Sequence, residues 1–235
     1  MVICHNSLAG QVGRIGAWLA GTPHVLYFAH GLACGPAQAP AVAHPLLGGT
    51  RMLAPCTSGI IIMNNYDENI ARVGHLVGAP TGSTASGHGR GPDAFQHRAQ
   101  PAARAQAGAR APASTASGSW CCAWRGSSPK GVAELVEAAP PPWRESAATS
   151  CSCWPGTGPL LEGCAPAFGR LGIERSFRVL GWRNDIHELM KCADILALPS
   201  YYMEGLPVSI LEAMACGKPV VSTHHKGCED AVVGR

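Results

Sequence analysis

The chain has 235 residues, a formal net charge of +3 and 11 cysteines. This length suffices for one large or two modest domains with their own cores. The weak positive charge does not favour nucleic-acid binding, and no stretch approaches the ~18 consecutive apolar residues of a membrane span. The N-terminus lacks the basic and apolar regions of a signal peptide. Together these features predict a cytoplasmic globular protein.

Residues 1–78 predict strands that alternate with helices. A short strand at residues 2–5 leads into a helix, and a second buried strand spans residues 24–30. Such β-α-β order is typical of a doubly wound α/β domain. His5 and His30 both stand at the carboxyl ends of strands, where ligands bind in these folds. A purely structural role explains each histidine equally well.

Residues 79–128 contain no Val, Ile, Leu or Met, and residues 139–159 have a similar composition. The abundance of Ala, Gly, Ser, Pro and Arg is typical of a flexible linker. Translation out of frame is the favoured interpretation, because shifting the codons of residues 119–124 and 149–158 by one nucleotide produces two apolar strands. Under that hypothesis the chain as written lacks two core strands of its C-terminal sheet, and resequencing the coding DNA decides the question.

The cysteines in these two stretches do not predict a metal site. The pairs Cys121-Cys122 and Cys151-Ser-Cys153 lack the CxxC spacing of zinc ligands, and no His-x3-His accompanies them. The frame-shift hypothesis interprets these four residues as misread Val or Leu codons.

The C-terminal part of the chain again alternates helices and strands. Helices are predicted from residue 129 and over residues 160–171, and a strand over residues 177–181. A further helix over residues 185–190 has Asp185 as its predicted N-cap.

Residues 194–223 carry the most informative pattern. An apolar strand ends at Pro199, a helix begins near Pro207 and ends at Gly217, and a second buried strand follows. Glu204 in the loop and Glu212 on the helix have seven residues between them. Because Glu212 shares a helical stripe with apolar residues, its carboxylate is expected to lean toward the sheet, where sugar hydroxyls could satisfy it. The spacing alone favours two structural glutamates, one in a loop and one on an amphipathic helix.

This stretch resembles the nucleotide-sugar-binding motif of family 4 glycosyltransferases. The matching residues are Pro199-Ser200, Glu204-Gly205, Leu211 to Ala215 and Gly217 to Val221. The resemblance implies a GT-B fold, with two Rossmann-like doubly wound domains, and transfer of a sugar from a nucleoside-diphosphate sugar with retention at the anomeric carbon. It implies no metal and no cofactor beyond that substrate.

The same resemblance implies roles for individual residues. Glu204 would contact the donor sugar, Glu212 the ribose hydroxyls, and the N–H groups near Gly205 and Leu206 the diphosphate. Lys130 stands at the position of the family's diphosphate-binding lysine, although the arginine that usually precedes it is missing.

In the N-terminal part, the turn at His30-Gly31 resembles one that lines the family's cleft. His30 would be catalytic together with Glu204, and His5 and Gly10 would line an acceptor cleft. The expected division is a partial acceptor-binding domain at 1–78, the low-complexity or frame-shifted segment at 79–128, and a nucleotide-sugar-binding domain at 129–235. The family's first strand, its last strand and its last helix are not recognised in the sequence, which predicts an unpaired edge in the N-terminal sheet.

The predicted function is hexosyl-type transfer to a glycan or polyprenyl-linked acceptor in cell-envelope polysaccharide synthesis. Expected partners are the nucleotide sugar, that acceptor and the surface of a membrane, at the inner face of the plasma membrane, with no nucleic acid. Two alternatives remain open. One is an inactive remnant that folds partly, and the other is a sugar-nucleotide epimerase of related fold, which would require more acidic residues in the N-terminal half.

Overall fold

The computed structural model describes residues 1–32, 40–77, 84–85, 119–123, 131–138, 150–155, 159–174, 177–201 and 204–232. They fall into two compact units, each containing one parallel sheet. The first unit comprises residues 1–89, 202–207 and 224–235, and the second comprises residues 90–201 and 208–223. The α/β class predicted from the sequence is confirmed.

The described strands are β1 (Val2–His5), β2 (Val25–Ala29), β3 (Gly59–Ile62), β4 (Thr84–Ala85), β5 (Ser119–Ala123), β6 (Ser150–Pro155), β7 (Phe177–Gly181), β8 (Ile195–Leu198) and β9 (Val220–Ser222). The described helices are α1 (Ser7–Leu19), α2 (Pro40–Met52), α3 (Asn65–Val73), α4 (Val132–Glu137), α5 (Pro159–Leu171), α6 (Ile186–Cys192), α7 (Val208–Ala215) and α8 (Lys226–Ala231), with a short 3-10 helix at Ala54–Cys56.

The sheet of the first unit has the order β1-β2-β3-β4, with all neighbours parallel. Its core forms where apolar strand residues meet the helices that follow them, and it includes Tyr27, Ile60, Ile62 and Leu76. Among the described strands, β1 pairs only with β2. Because the strands are parallel, their carboxyl ends lie along one edge of the sheet.

The sheet of the second unit has the order β7-β6-β5-β8-β9, again with all neighbours parallel. The chain runs outward from β5 to β7 and then returns to add β8 and β9 on the other side. This reversal defines a topological switch point between β5 and β8. Ligands of doubly wound sheets bind outside the carboxyl ends of the strands at such a point.

The structure contradicts the expectation that the chain as written lacks two strands of this sheet. Both stretches form strands, and β5 lies at the centre, between β6 and β8. Strand β6 ends irregularly, with a register shift between Trp154 and Pro155. Proline has no N–H to donate to a ladder, which explains the shift. Residues 119–123 therefore belong to the second sheet, and the frame-shift hypothesis remains a prediction about the coding DNA.

One predicted cap is wrong. Asp185 precedes α6, but its side chain makes no capping hydrogen bond. Its carboxylate instead accepts from Arg183 Nε at 2.8 Å and Arg183 Nη2 at 2.5 Å. A bidentate, charge-assisted pair is stronger than a neutral cap, so the guanidinium takes the carboxylate. None of the described helices is long and apolar enough to cross a membrane.

Candidate functional site

Two histidines meet at the edge of the first sheet. His5 ends β1 and His30 follows β2, and these strands are adjacent and parallel. His5 Nδ1 lies 2.9 Å from His30 Nε2, which is hydrogen-bonding distance. Phe28 stacks on the ring of His5 with 5.1 Å between centroids. The parallel register thus brings together the two histidines that the sequence placed at strand ends.

The loop that follows β8 lies against the turn at His30-Gly31. A Cβ atom on Gly205 would collide with the carbonyl oxygen of His30, so this approach requires glycine. A Cβ atom on Gly31 would lie 3.2 Å from the Gly205 nitrogen. Glu204 in this loop is half-buried and precedes that contact directly. The structure therefore places the predicted catalytic pair, His30 and Glu204, on two backbone segments in close contact.

Leu206 and Gly10 occupy different surroundings. Leu206, next to Gly205 in the same loop, is half-buried. Gly10 is buried within α1, and a Cβ there would lie 2.8 Å from the ring of Tyr27. Close packing between α1 and β2 thus accounts for glycine at position 10.

Glu212 lies on α7 in the second unit and is only 5% exposed. The prediction that its carboxylate leans away from bulk water is confirmed. Strand β8, which precedes its helix, borders the switch point of the sheet. A buried carboxylate must be matched by hydrogen-bond donors, and hydroxyl groups of a bound ligand are suitable donors.

Lys130 lies outside the described residues, but the glycine that follows it is described. Gly131 has a φ of 73° and is the N-cap residue of α4. A Cβ atom there would collide with the carbonyl oxygen of Pro199, the residue after β8. Both the left-handed conformation and this contact require glycine. Gly131 thus lies against the carboxyl end of β8, next to the switch point.

Sequence reasoning missed three polar residues beside the Gly205 loop. Asn64, Asp67 and Lys226 are all buried, with exposed fractions of 2%, 0% and 6%. Asn64 Nδ2 donates to the Gly205 carbonyl at 2.9 Å, and Lys226 Nζ lies 2.9 Å from Asp67 Oδ1. The sequence does contain a pattern that indicates part of this cluster, because residues 64–67, Asn-Asn-Tyr-Asp, have the spacing of a capping box. No local pattern indicates Lys226.

Within the described ranges, no three His, Cys, Asp or Glu side chains are grouped so that they could hold a metal ion. The chemical groups at the site are two imidazoles, carboxylates and backbone N–H groups. Such groups can bind hydroxyls and phosphate oxygens through hydrogen bonds.

Residues 120–235 match the family model described as glycosyl transferases group 1. The curated relatives that match over short segments include two transferases. The N,N'-diacetylbacillosaminyl-diphospho-undecaprenol alpha-1,3-N-acetylgalactosaminyltransferase of Campylobacter jejuni is 55% identical over 53 residues, which are 23% of this chain and 14% of the relative. The UDP-Gal:alpha-D-GlcNAc-diphosphoundecaprenol alpha-1,3-galactosyltransferase of Escherichia coli is 39% identical over 57 residues, which are 24% and 14% of the two chains.

Among solved structures, the chain is similar to Anabaena HepE, crystallised in complex with UDP. The TM-score is 0.78 at 21% identity, and the match covers 99% of this chain and 62% of HepE. At this identity the likeness establishes the fold, and the GT-B class predicted from the sequence is confirmed. The chain spans less than two thirds of HepE, and the aligned segments are about one seventh of each curated relative.

Proposed function

Because residues 120–235 belong to the group 1 glycosyltransferases, we propose that the chain binds a nucleoside-diphosphate sugar and transfers its sugar to a glycan or polyprenyl-linked acceptor. The observation that carries this proposal is the contact between the Glu204-Gly205 loop and the His30-Gly31 turn. It joins the motif residues expected at the donor sugar to the histidine expected at the reacting carbon.

The names of the relatives support the substrate class. By their names, the two relatives from Campylobacter jejuni and Escherichia coli act on a sugar linked to undecaprenyl diphosphate, and HepE was crystallised with UDP. The donor proposed here is therefore a UDP-sugar, and the acceptor is a polyprenyl-diphosphate-linked sugar used for cell-envelope polysaccharide. An acceptor of this type places the reaction in the cytoplasm, at the inner face of the plasma membrane, with peripheral contact between protein and lipid.

The proposed catalysis consists mainly of positioning and charge stabilisation. Glu204 orients the donor sugar, Glu212 binds the ribose hydroxyls, and His30 contacts the sugar near the reacting carbon. Lys130 and the N–H groups near Gly205 and Leu206 stabilise the diphosphate as it leaves. The reaction proceeds with retention at the anomeric carbon and needs no metal ion, so EDTA should not change the rate.

The test has two stages. Calorimetry first measures binding of UDP and of UDP-sugars that carry galactose, N-acetylgalactosamine or glucose. Chromatography then follows transfer from the bound donor to a short polyprenyl-diphosphate-linked sugar. Binding followed by transfer supports the proposal, binding without transfer indicates a donor-binding remnant, and absence of binding to every UDP compound contradicts the proposal.

A further inference from the structure

We propose that Asn64, Asp67 and Lys226 form a positioning network, which sets the orientation of the peptide group between Gly205 and Leu206 for the donor's diphosphate. This inference rests on the proposed function, because it assigns a role to the loop that would bind the donor. All three residues, and the loop, belong to the first unit.

Asp67 is the centre of the network. Its carboxylate is fully buried, and each of three donors lies 2.9 Å from it. The backbone N–H of Leu32 and Nδ2 of Asn64 donate to Oδ2, and Nζ of Lys226 donates to Oδ1. A buried carboxylate satisfied in this way is fixed in position, because movement would break several charge-assisted hydrogen bonds at once.

Lys226 supplies the compensating charge. Its side chain is 2% exposed, and Nζ also donates to the carbonyl of Leu32 at 2.8 Å. The ammonium group therefore binds two groups of the protein interior. A buried ion pair contributes little net stability. Its main effect here is to fix the positions of the Lys226 ammonium group and the Asp67 carboxylate.

Asn64 connects this pair to the loop. Its Oδ1 accepts from the backbone N–H of Asp67 at 2.8 Å, which caps α3. Its Nδ2 donates to Asp67 Oδ2 and to the carbonyl of Gly205, each at 2.9 Å. Only one orientation of the amide satisfies all three contacts, because a flipped amide would present its oxygen to two acceptors.

The carbonyl of Gly205 determines where the next N–H points. In a planar trans peptide, the C=O and N–H bonds point in opposite directions. With the carbonyl directed at Asn64, the N–H of Leu206 is directed away from the network. The close approach of Gly205 to the His30 carbonyl further restricts rotation of this peptide. The loop thus holds a preorganised donor for a phosphate oxygen, at a position fixed by the N-cap residue of α3 and by residues of α3 and α8.

The discriminating variant is Asn64→Ser. A serine hydroxyl can still cap α3, but it is too short to replace the Nδ2 bond to Gly205. Because one directed hydrogen bond to the diphosphate is then lost, UDP should bind about 10-fold more weakly. UMP, which lacks the second phosphate, should keep its affinity within about 2-fold. Glu68→Gln is the control, since it removes an ion pair with Arg72 at the surface of the same helix.

The ion pair is tested with Asp67→Asn, Lys226→Met and the double variant. Each single change leaves a buried group without its partner, whereas the double change removes both charges. Thermal stability should therefore fall more in either single variant than in the double variant. The preference for UDP over UMP should likewise fall more in either single variant than in the double variant.

The outcomes separate the two proposals. If the unaltered protein binds neither UDP nor any UDP-sugar, the proposed function fails. If it binds UDP, and Asn64→Ser retains the full preference for UDP over UMP, the positioning network is overturned. An equal loss of UDP and UMP affinity in Asn64→Ser would also overturn it, because that result indicates only a structural role.

Discussion

His5 Nδ1 and His30 Nε2 lie 2.9 Å apart, so the two imidazoles share one hydrogen bond. One ring must be neutral at the shared nitrogen in order to accept, which fixes its tautomer relative to the other ring. His5 is exposed and stacks on Phe28, so its position is set by β1 and β2. His30 thus has a partner that restricts the orientation of its ring.

This pair predicts a graded loss of transferase activity. His30→Ala should lower kcat about 100-fold, the range observed when one positioned polar group is removed from a transition state. His5→Phe retains an aromatic ring against Phe28 but loses the hydrogen bond, and we expect about a 10-fold lower kcat. His5→Asn retains a polar atom near the position of Nδ1 and should stay closer to the unaltered rate. Steady-state kinetics of the three variants measure this order, and equal rates for His5→Phe and His5→Asn would contradict it.

The site shows which relationships a sequence can predict. The strand, loop and helix of residues 194–223 were predictable, because a continuous apolar run, prolines and a terminal glycine mark their boundaries. The approach of His5 to His30 follows from adjacent parallel strands. The contact between Asp67 and Lys226 was not predictable, because 159 positions separate them and neither has a local pattern that requires the other. Strands β5 and β6 were missed as written, since they lack an apolar run, and their place in the sheet is visible only in their pairing.

Glu212 is expected to determine recognition of the ribose. Glu212→Gln preserves the shape of the side chain but removes its charge, and it should weaken UDP binding roughly 10- to 100-fold. Calorimetry with UDP and 2′-deoxy-UDP provides the specific readout. The unaltered protein should prefer UDP, and the variant should lose most of that preference. Glu188→Gln, on α6 of the same unit, is the control for a general charge effect. Equal preference for UDP in both variants would refute the ribose role.

Substitution of glycine by alanine should have opposite effects on stability at Gly205 and at Gly16. Gly205→Ala places a methyl group onto the His30 carbonyl oxygen and should reduce both UDP affinity and thermal stability. Gly16→Ala adds a methyl group in open space on the exposed side of α1, so it should stabilise the protein by about 0.5–1 kcal/mol. Chemical denaturation measures both changes. A stabilising Gly205→Ala would mean that the loop does not lie against the histidine turn.

Arg14 illustrates a buried charge that is incompletely satisfied. Its guanidinium is fully buried, with Nε 3.1 Å from the Gly10 carbonyl and Nη1 3.2 Å from Thr57 Oγ1. Among the described residues, Nη2 has no hydrogen-bond partner. Burial lowers the pKa of Arg14, and interactions with Tyr27, Cys4 and Cys56 oppose that shift.

The predicted effect of replacing Arg14 depends on the volume of the new side chain. Arg14→Met fills similar space without a charge and should change the free energy of unfolding by less than about 1 kcal/mol, or increase it. Arg14→Ala leaves a cavity and should cost about 2–4 kcal/mol. Thr57 Oγ1 retains its bond to the Leu53 carbonyl at 2.7 Å, so neither variant leaves that hydroxyl unpaired. Urea denaturation of the two variants gives the comparison, and similar large losses in both would show that the charge itself is required.

The raised pKa of Tyr27 predicts how the stability of the protein changes at alkaline pH. Burial raises the pKa of its hydroxyl above the usual value of 10.0, while hydrogen bonding to Ser7 is the largest opposing effect. Below pH 10 the hydroxyl is protonated in both folded and unfolded chains, so it contributes no pH dependence. Above pH 10 the unfolded chain releases this proton and the folded chain retains it, so stability falls as pH rises.

Tyr27→Phe removes this proton and should reduce the loss of stability above pH 10. It should also cost about 1 kcal/mol at neutral pH, because hydrogen bonds of the hydroxyl are lost. Ser7→Ala is the control, since it removes one hydrogen bond and leaves the titrating hydroxyl in place. Urea denaturation between pH 7 and about pH 11 measures the slope for each protein. If Tyr27→Phe loses stability above pH 10 as steeply as Ser7→Ala, the alkaline transition arises from other groups.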